Sequence, residues 1–208
     1  MPTQTLTIAA TGNDGYQDSG TTFDTTPAVG AIYVFGPTIP ENLGASFPVT
    51  TAVPAGSTIN DCRFRVSNNG GDDGGASVVN PQMQNIDPTS AAVWSNSNLP
   101  SGATAVSAHN TASLTWAENF YFGASDTSPV QFASDLQTVI DAGGGIAVGE
   151  RVNFFVEWVS GTGFPSFRDL DATGTSDMQL FIDWTEGGAA ALSIAPIIQN
   201  YRNMGLMN

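Results

Sequence analysis

The chain contains no lysine, and charged residues of any kind are scarce. Only 12% of its 208 residues are charged, against roughly a quarter in an average globular protein. The five basic residues are all arginines and stand against 19 acidic residues, which gives a formal net charge of -14. Nucleic-acid binding depends on basic groups that neutralise phosphates, so this balance excludes a nucleic acid as partner. The same argument disfavours an anionic membrane surface.

Long apolar runs and a second cysteine are also missing. No apolar run approaches the roughly 20 residues that a membrane-spanning helix needs. Cys62 is the only cysteine, so no intramolecular disulfide can form. The stretch MPTQTLTIAATG has neither the basic nor the apolar region of a secretory signal. We therefore expect synthesis in a cytoplasm and no membrane partner.

The groups that commonly act in catalysis are few. His109 is the only histidine, and its polar surroundings predict a solvated loop side chain. Cys62 falls on the apolar face of an alternating segment, which predicts a buried core thiol. Carboxylates suitable for a glycosidase exist at Glu118, Asp126 and Glu157, but nothing in their spacing selects a pair. The sequence therefore favours a protein that is not an enzyme.

Apolar and polar residues alternate with period two in several segments, which is the pattern of half-buried β-strands. The segments QTLTIAA, DCRFRV, RVNFFVEW and DMQLFIDW each place their apolar residues on one face. In RVNFFVEW, Phe155 falls on the outward face with Asn153 and Glu157. Turns rich in glycine and proline separate these segments, as in VPAGS and SGTGFP. The pattern predicts an all-β sandwich or jelly roll.

A single helix interrupts this pattern. Ser128 is placed as the N-cap, Pro129 as the first helical residue, and Gln131 completes a capping box. Apolar residues recur on one face after it, which predicts one amphipathic helix over Pro129 to Ala142. Gly143 is then expected to be the left-handed residue that ends the helix.

Two kinds of binding site have candidate residues. Oxygen ligands on a glycine-containing loop suit calcium, and DLDATGTSD supplies them at Asp169, Asp171 and Asp177; the alternative is ordinary turns on a surface loop. No other cofactor is indicated. Tyr121 and Phe122 lie in ENFYFG, where three aromatics in a row cannot all face a core, so they are the candidates for an exposed glycan-binding platform.

The order of these segments resembles a family of jelly-roll domains in tailed-bacteriophage virion proteins, which are similar to non-catalytic carbohydrate-binding modules. The resemblance spans about Ala10 to Trp184. It rests on an opening, a turn before a strand, a tryptophan strand with a capped helix and a long strand, and a closing segment: NDGYQDSGTTFDTT, VPAGSTINDCRFRV, TASLTWAENFYFGASDTSPVQFASDLQTVIDAGGGIAVGERVNFFVEW and FRDLDATGTSDMQLFIDW. Two features depart from the family pattern: Asp177-Met178 replaces a proline, and AGGGIAVGE lacks a tryptophan.

The resemblance implies a jelly-roll domain over residues 1–186 in a virion protein made in the host cytoplasm. Within such a virion, the acidic surface, the absence of lysine and the apolar C-terminal segment favour a capsid decoration (cement) protein on the capsid surface. It would bind the major capsid protein and copies of itself as a homo-oligomer. The alternative is a tail component that binds host surface glycans.

Residues 187–208, named here the C-terminal arm, follow the last predicted strand. The arm has too few residues for its own core, yet it is apolar and carries one arginine. Its predicted partner-binding residues are Ile194, Ile197, Ile198, Tyr201, Arg202, Met204 and Leu206. The arm is expected to dock on a neighbouring molecule; the alternative is that it covers an edge of its own sandwich.

Overall fold

The structure is a computed structural model, and it describes residues 1–8, 13–18, 20–25, 31–33, 42–66, 77–109, 120–122, 132–162, 166–168 and 178–187. In this part of the chain, one α-helix (α1, Phe132–Gly143) and one 3₁₀ turn (Pro100–Gly102) accompany the strands. The strands are β1 Thr3–Thr7, β2 Asp14–Asp18, β3 Thr22–Asp24, β4 Ala31–Tyr33, β5 Asn42–Pro48, β6 Val53–Pro54, β7 Thr58–Val66, β8 Ser77–Met83, β9 Phe120–Phe122, β10 Gly145–Ile146, β11 Arg151–Gly161, β12 Ser166–Arg168 and β13 Gln179–Thr185.

Two main sheets form an all-β sandwich, as the alternation predicts. One sheet has the strand order β1-β13-β7-β9 and the other β3-β2-β5-β11-β8. Two further pairs, β10-β6 and β12-β4, form separate two-stranded sheets. Every described strand pair is antiparallel. The main apolar core contains residues from both large sheets, such as Leu180 from one and Phe154 from the other. No helix in the described residues is long and apolar enough to cross a membrane.

The alternating faces lie where period two predicts them. Across the first sheet, Leu6 is paired with Leu180, and Leu180 with Phe64; all three are buried. A shift of one residue in any of these strands would turn its apolar side chains to the other face. Burial therefore fixes the register. Cys62 is buried on the same face, as predicted, and burial raises the pKa of its thiol, with Asp61 and Asp135 adding to the shift.

Helix α1 packs on β7 and confirms the amphipathic pattern. Phe132, Leu136, Val139 and Ile140 are buried on one face. The three predicted positions before Phe132, and the N-cap at 128, lie outside the described residues. The prediction for the helix end was wrong: Gly143 is still helical, and the left-handed residue is Gly144 at φ 74°. The Gly144 amide donates to the Ile140 carbonyl at 2.8 Å, which closes the last turn.

The outer face of the second sheet is partly covered by a long connection, residues 84–106. Trp94, 1% exposed, lies against Gly44, where a Cβ would fall 2.6 Å from the Trp94 Cδ1 atom. Trp94 Nε1 donates to the carbonyls of Phe154 and Ala45 at 3.1 and 3.3 Å. Phe155 is on the predicted face, yet Trp94 packs edge-on against it and leaves it 2% exposed. An outward position in the strand is thus a buried position in the protein.

Candidate functional site

A cleft of about 280 Å³ lies where β6 and β10 meet the end of α1; we name it the root cleft. The single antiparallel pairing of Gly145 with Pro54 and Ile146 with Val53 brings its two walls together. A Cβ at Gly145 would fall 2.8 Å from the Val53 carbonyl oxygen, so the close approach requires glycine there. The lining is mostly small and apolar: Ala52, Val53, Pro54, Ala55, Thr89, Gly143, Gly144, Gly145, Ile146, Ala147 and Glu150.

The electrostatic character of the root cleft is negative. Glu150 is the only charged residue among those that line it, and its Oε2 accepts the Ala147 amide at 2.7 Å. The carbonyl end of α1 adds partial negative charge. Asp87 is also near, since a Cβ at Gly143 would fall 3.5 Å from its Oδ1. Hydrogen bonds from the Thr89 amide and hydroxyl lower the pKa of Asp87, so its carboxylate stays charged in mildly acidic solution.

Gly187, which follows the last described strand, lies beside this cleft. The last described strand ends at Thr185, and a Cβ at Gly187 would overlap the Gly56 carbonyl oxygen. Gly56 directly follows Ala55 of the cleft wall. The predicted partner-binding residues of the arm lie outside the described residues: Ile194, Ile197, Ile198, Tyr201, Arg202, Met204 and Leu206.

A second surface is the outer face of the first sheet, which we name the arginine face. Thr5, Arg63, Gln179 and Phe181 line a depression of about 180 Å³ there. The Arg63 guanidinium lies 4.5 Å from the centre of the Phe181 ring and its Nε is 2.7 Å from Asp61 Oδ2. Arg65 NH1 donates to Gln179 Oε1 at 3.0 Å. Cationic, amide, hydroxyl and aromatic groups thus converge on one rigid sheet.

The predicted glycan platform belongs to the strand next to this face. In β9, Tyr121 is the Cα partner of Arg65, and Phe122 is the Cα partner of Phe64. Position 121 is therefore level with the arginine face and position 122 with a core residue. The side chains of Tyr121 and Phe122 lie outside the described residues, so the platform itself stays a prediction.

His109 is not the solvated side chain that the sequence predicts. Its Nε2 lies 2.7 Å from Oδ2 of Asp135 on α1, and the Asp135 side chain is only 2% exposed. Its ring also packs edge-on against Phe132, with 5.4 Å between the ring centres, and its amide donates to Asn80 Oδ1 at 2.7 Å. The prediction was wrong because the polar surroundings of His109 in the sequence do not reveal that α1 packs against this loop. The pair joins the loop to α1.

The His109–Asp135 contact leads to a stability prediction. His109→Ala leaves the buried Asp135 carboxylate without its histidine partner, and we expect it to lower the free energy of unfolding by about 1.5 to 3 kcal/mol. Ser107→Ala, a substitution in the same loop at a partly buried position, serves as the control. Urea denaturation followed by tryptophan fluorescence measures both. Equal midpoints for the two variants would show that the pair contributes nothing to stability.

The remaining predicted chemical groups divide between the two parts of the chain. The calcium candidates Asp169, Asp171 and Asp177, and the carboxylates of Glu118 and Asp126, lie outside the described residues. The described residues contain no group of three or more metal-binding side chains. Glu157 is described, and its Oε2 accepts the Gln82 and Asn80 amides at 2.5 and 3.2 Å. Two amides from β8 thus hold this carboxylate.

Neither the root cleft nor the Arg63–Phe181 contact was predicted as a site. The walls of the cleft come from TAVPAG and AGGGIAVG, which are separated by roughly 90 residues and individually resemble ordinary turns. Arg63 and Phe181 both occupy outward positions of alternating strands, which is a signal that period two gives, but only the pairing of β13 with β7 makes them neighbours.

Comparison with protein-family models and with curated proteins finds no match for the chain in either.

Proposed function

We propose that the protein is a non-catalytic structural component of a tailed-bacteriophage virion, a jelly-roll decoration protein that docks on the head shell through its C-terminal arm. The observation that supports it most is the position of Gly187. The arm leaves the domain beside Gly56, after the last described strand has ended at Thr185. The last described strand, β13, contributes Leu180, Ile182 and Trp184 to the main core cluster before the arm begins.

The charge distribution supports the same proposal. Glu186 is the last acidic residue of the sequence, and residues 187–208 contain Arg202 as their only charged side chain. In a chain of net charge -14, copies of the domain repel one another, which keeps them soluble and apart. The arm is the segment that can approach an acidic surface without this repulsion, and its apolar side chains gain about 1.5 to 3 kcal/mol each when buried there.

The location of the protein on the virion tests this proposal. Cryo-electron microscopy of intact particles that carry labelled protein is expected to place it on the head, at regular positions of the shell symmetry. Label confined to the tail would overturn the decoration role, and label absent from both would overturn the virion role.

A second function, glycan binding, is favoured by the arginine face. Small-molecule sites combine aromatic side chains with a few placed polar or charged groups. This face offers Phe181, Gln179 and two arginines, with position 121 at its edge. In that case the protein is a tail component that recognises host surface glycans.

A glycan array tests the second function. Specific binding by the native protein should be lost in Tyr121→Ala and in Phe181→Ala, and retained in Thr3→Ala, a substitution at an exposed position of β1. If the native protein binds no glycan, the second function is wrong. If Tyr121→Ala binds glycan like the native protein, the predicted platform next to the arginine face is not the glycan site.

A further inference from the structure

We propose that the root cleft is the receptor for the C-terminal arm of a second copy of this chain, with Glu150 of the cleft paired to Arg202 of the incoming arm. This inference rests on the proposed function, in which the arm is a docking segment. It adds the binding site of the arm on a neighbouring copy. In such self-association, the arm of one copy binds the cleft of the next copy.

The root cleft and the C-terminal arm are complementary in shape and polarity. Glycine, alanine and proline dominate the lining of the root cleft, so its walls leave room for large side chains. Val148 stands beside it 65% exposed, one of three large hydrophobic residues that are exposed in the described part of the chain. The arm has the converse composition, with large apolar residues at Ile194, Ile197 and Ile198. An apolar cavity on a soluble domain and an apolar segment without its own core fit each other.

The root cleft and the arm also carry opposite charges. Glu150 is the single ionisable residue in the lining, and Arg202 is the single charged side chain in the arm. Glu150 Oε2 accepts the Ala147 amide, which leaves the other carboxylate oxygen to accept a guanidinium. The end of α1 and the nearby Asp87 add to the negative potential. A charge-assisted pair in a mainly apolar contact fixes its register.

The length of the arm favours a cleft on a second copy over the cleft of the same chain. Gly187 already touches Gly56 at the rim of the cleft, and the residues that follow it, GAAA, are small. The residues that directly follow Gly187 in the sequence therefore have the least apolar surface to bury. Arg202 is roughly 15 residues beyond Gly187 and can lie up to about 50 Å from it when extended. This distance is long enough for Arg202 to bind a cleft on a neighbouring molecule.

Disulfide trapping with two separate variants distinguishes the sources of the arm. Protein with Ala147→Cys is mixed with protein that carries Asn203→Cys, under mild oxidation. Ala147 is an exposed residue of the cleft wall, and the native Cys62 is buried, so it does not compete. A disulfide-linked heterodimer is expected only if the arm of one copy enters the cleft of another.

The control for trapping uses the same strand. Ser160→Cys, near the far end of β11, is exposed and lies roughly 30 Å along the strand from Glu150. It should not be linked to the Asn203→Cys partner. Equal linkage at 147 and 160 would overturn the proposal. It would also be overturned if the double variant, with Ala147→Cys and Asn203→Cys in one chain, formed an internal disulfide and no disulfide-linked dimer.

The ion pair is tested by a double-mutant cycle on self-association, measured by analytical ultracentrifugation. Glu150→Gln keeps the oxygen that accepts the Ala147 amide and removes the charge. It should weaken association about twofold to fivefold, and Arg202→Gln should do the same. The double variant should be no weaker than either single variant. Additive losses would show that the two side chains do not meet.

The outcomes separate this inference from the proposed function. Heterodimer trapping without binding to virions supports the cleft and overturns the decoration role. Arm-dependent binding to virions without trapping leaves the decoration role standing and overturns the cleft as the receptor.

Discussion

Truncation after Gly188 is expected to leave the sandwich folded and to abolish binding to the virion. The last described strand ends at Thr185, before the cut, and Trp184 of that strand is 1% exposed within the main core cluster. The melting temperature should therefore change by no more than about 2 °C, which corresponds to less than roughly 1 kcal/mol in a domain of this size. Loss of the buried arm side chains should lower the affinity for particles at least about 100-fold.

Co-sedimentation of purified protein with particles that lack it measures this binding. Full-length Asn203→Ala is the control, because it preserves the length, the apolar residues and the charge of the arm. The proposed role of the arm fails if truncation sharply lowers the melting temperature while the protein still sediments with particles. The arm would then stabilise its own domain, and the docking surface would have to lie elsewhere.

Phe154→Ala is expected to lower the free energy of unfolding by about 3 to 5 kcal/mol. Phe154 is fully buried and lies where the two sheets and the helix meet. Its ring stacks on Phe64 of β7 at 4.9 Å and meets Phe132 of α1 edge-on at 4.9 Å and Phe47 of β5 at 6.2 Å. Alanine leaves a cavity between three rigid elements that cannot close around it. With a total stability of about 5 to 15 kcal/mol for a typical domain, this is a large fraction.

Phe181→Ala is the matched control for this substitution. Phe181 is a phenylalanine of the same sandwich, but it is only partly buried and lies on the arginine face. Its removal should change the stability by about 1 kcal/mol or less, mostly through the contact with Arg63. Chemical denaturation of both variants checks the difference. If the two substitutions lower the stability equally, Phe154 is not the junction that its contacts indicate.

Local pattern determined the main features of the fold. Period two in DMQLFIDW and DCRFRV correctly assigns Leu180, Phe64 and Cys62 to the core, because alternate residues of a strand lie on opposite faces whatever strand pairs beside it. The amphipathic pattern after Pro129 likewise gave the helix and its buried face, because Leu136 and Ile140 are one turn apart. The all-β sandwich follows from these local rules.

Tertiary structure decided the features that depend on distant segments. Phe155 has an outward position in its strand, and it is buried because Trp94 reaches it from a connection roughly 60 residues earlier. His109 sits in a polar loop, and it is held because α1 brings Asp135 to it. In both cases the partner is set by how the chain folds back, which no local period encodes.

The candidate sites show the same division. Residue types alone set the available chemistry: an acidic, lysine-free domain, outward Arg63 and Arg65, and an arm whose single charge is Arg202. Folding then pairs β6 with β10 to form the root cleft and places Phe181 under Arg63. The reason is physical: residue type fixes what a side chain can bind, whereas a binding surface requires several side chains at fixed distances, and long-range strand pairing sets those distances.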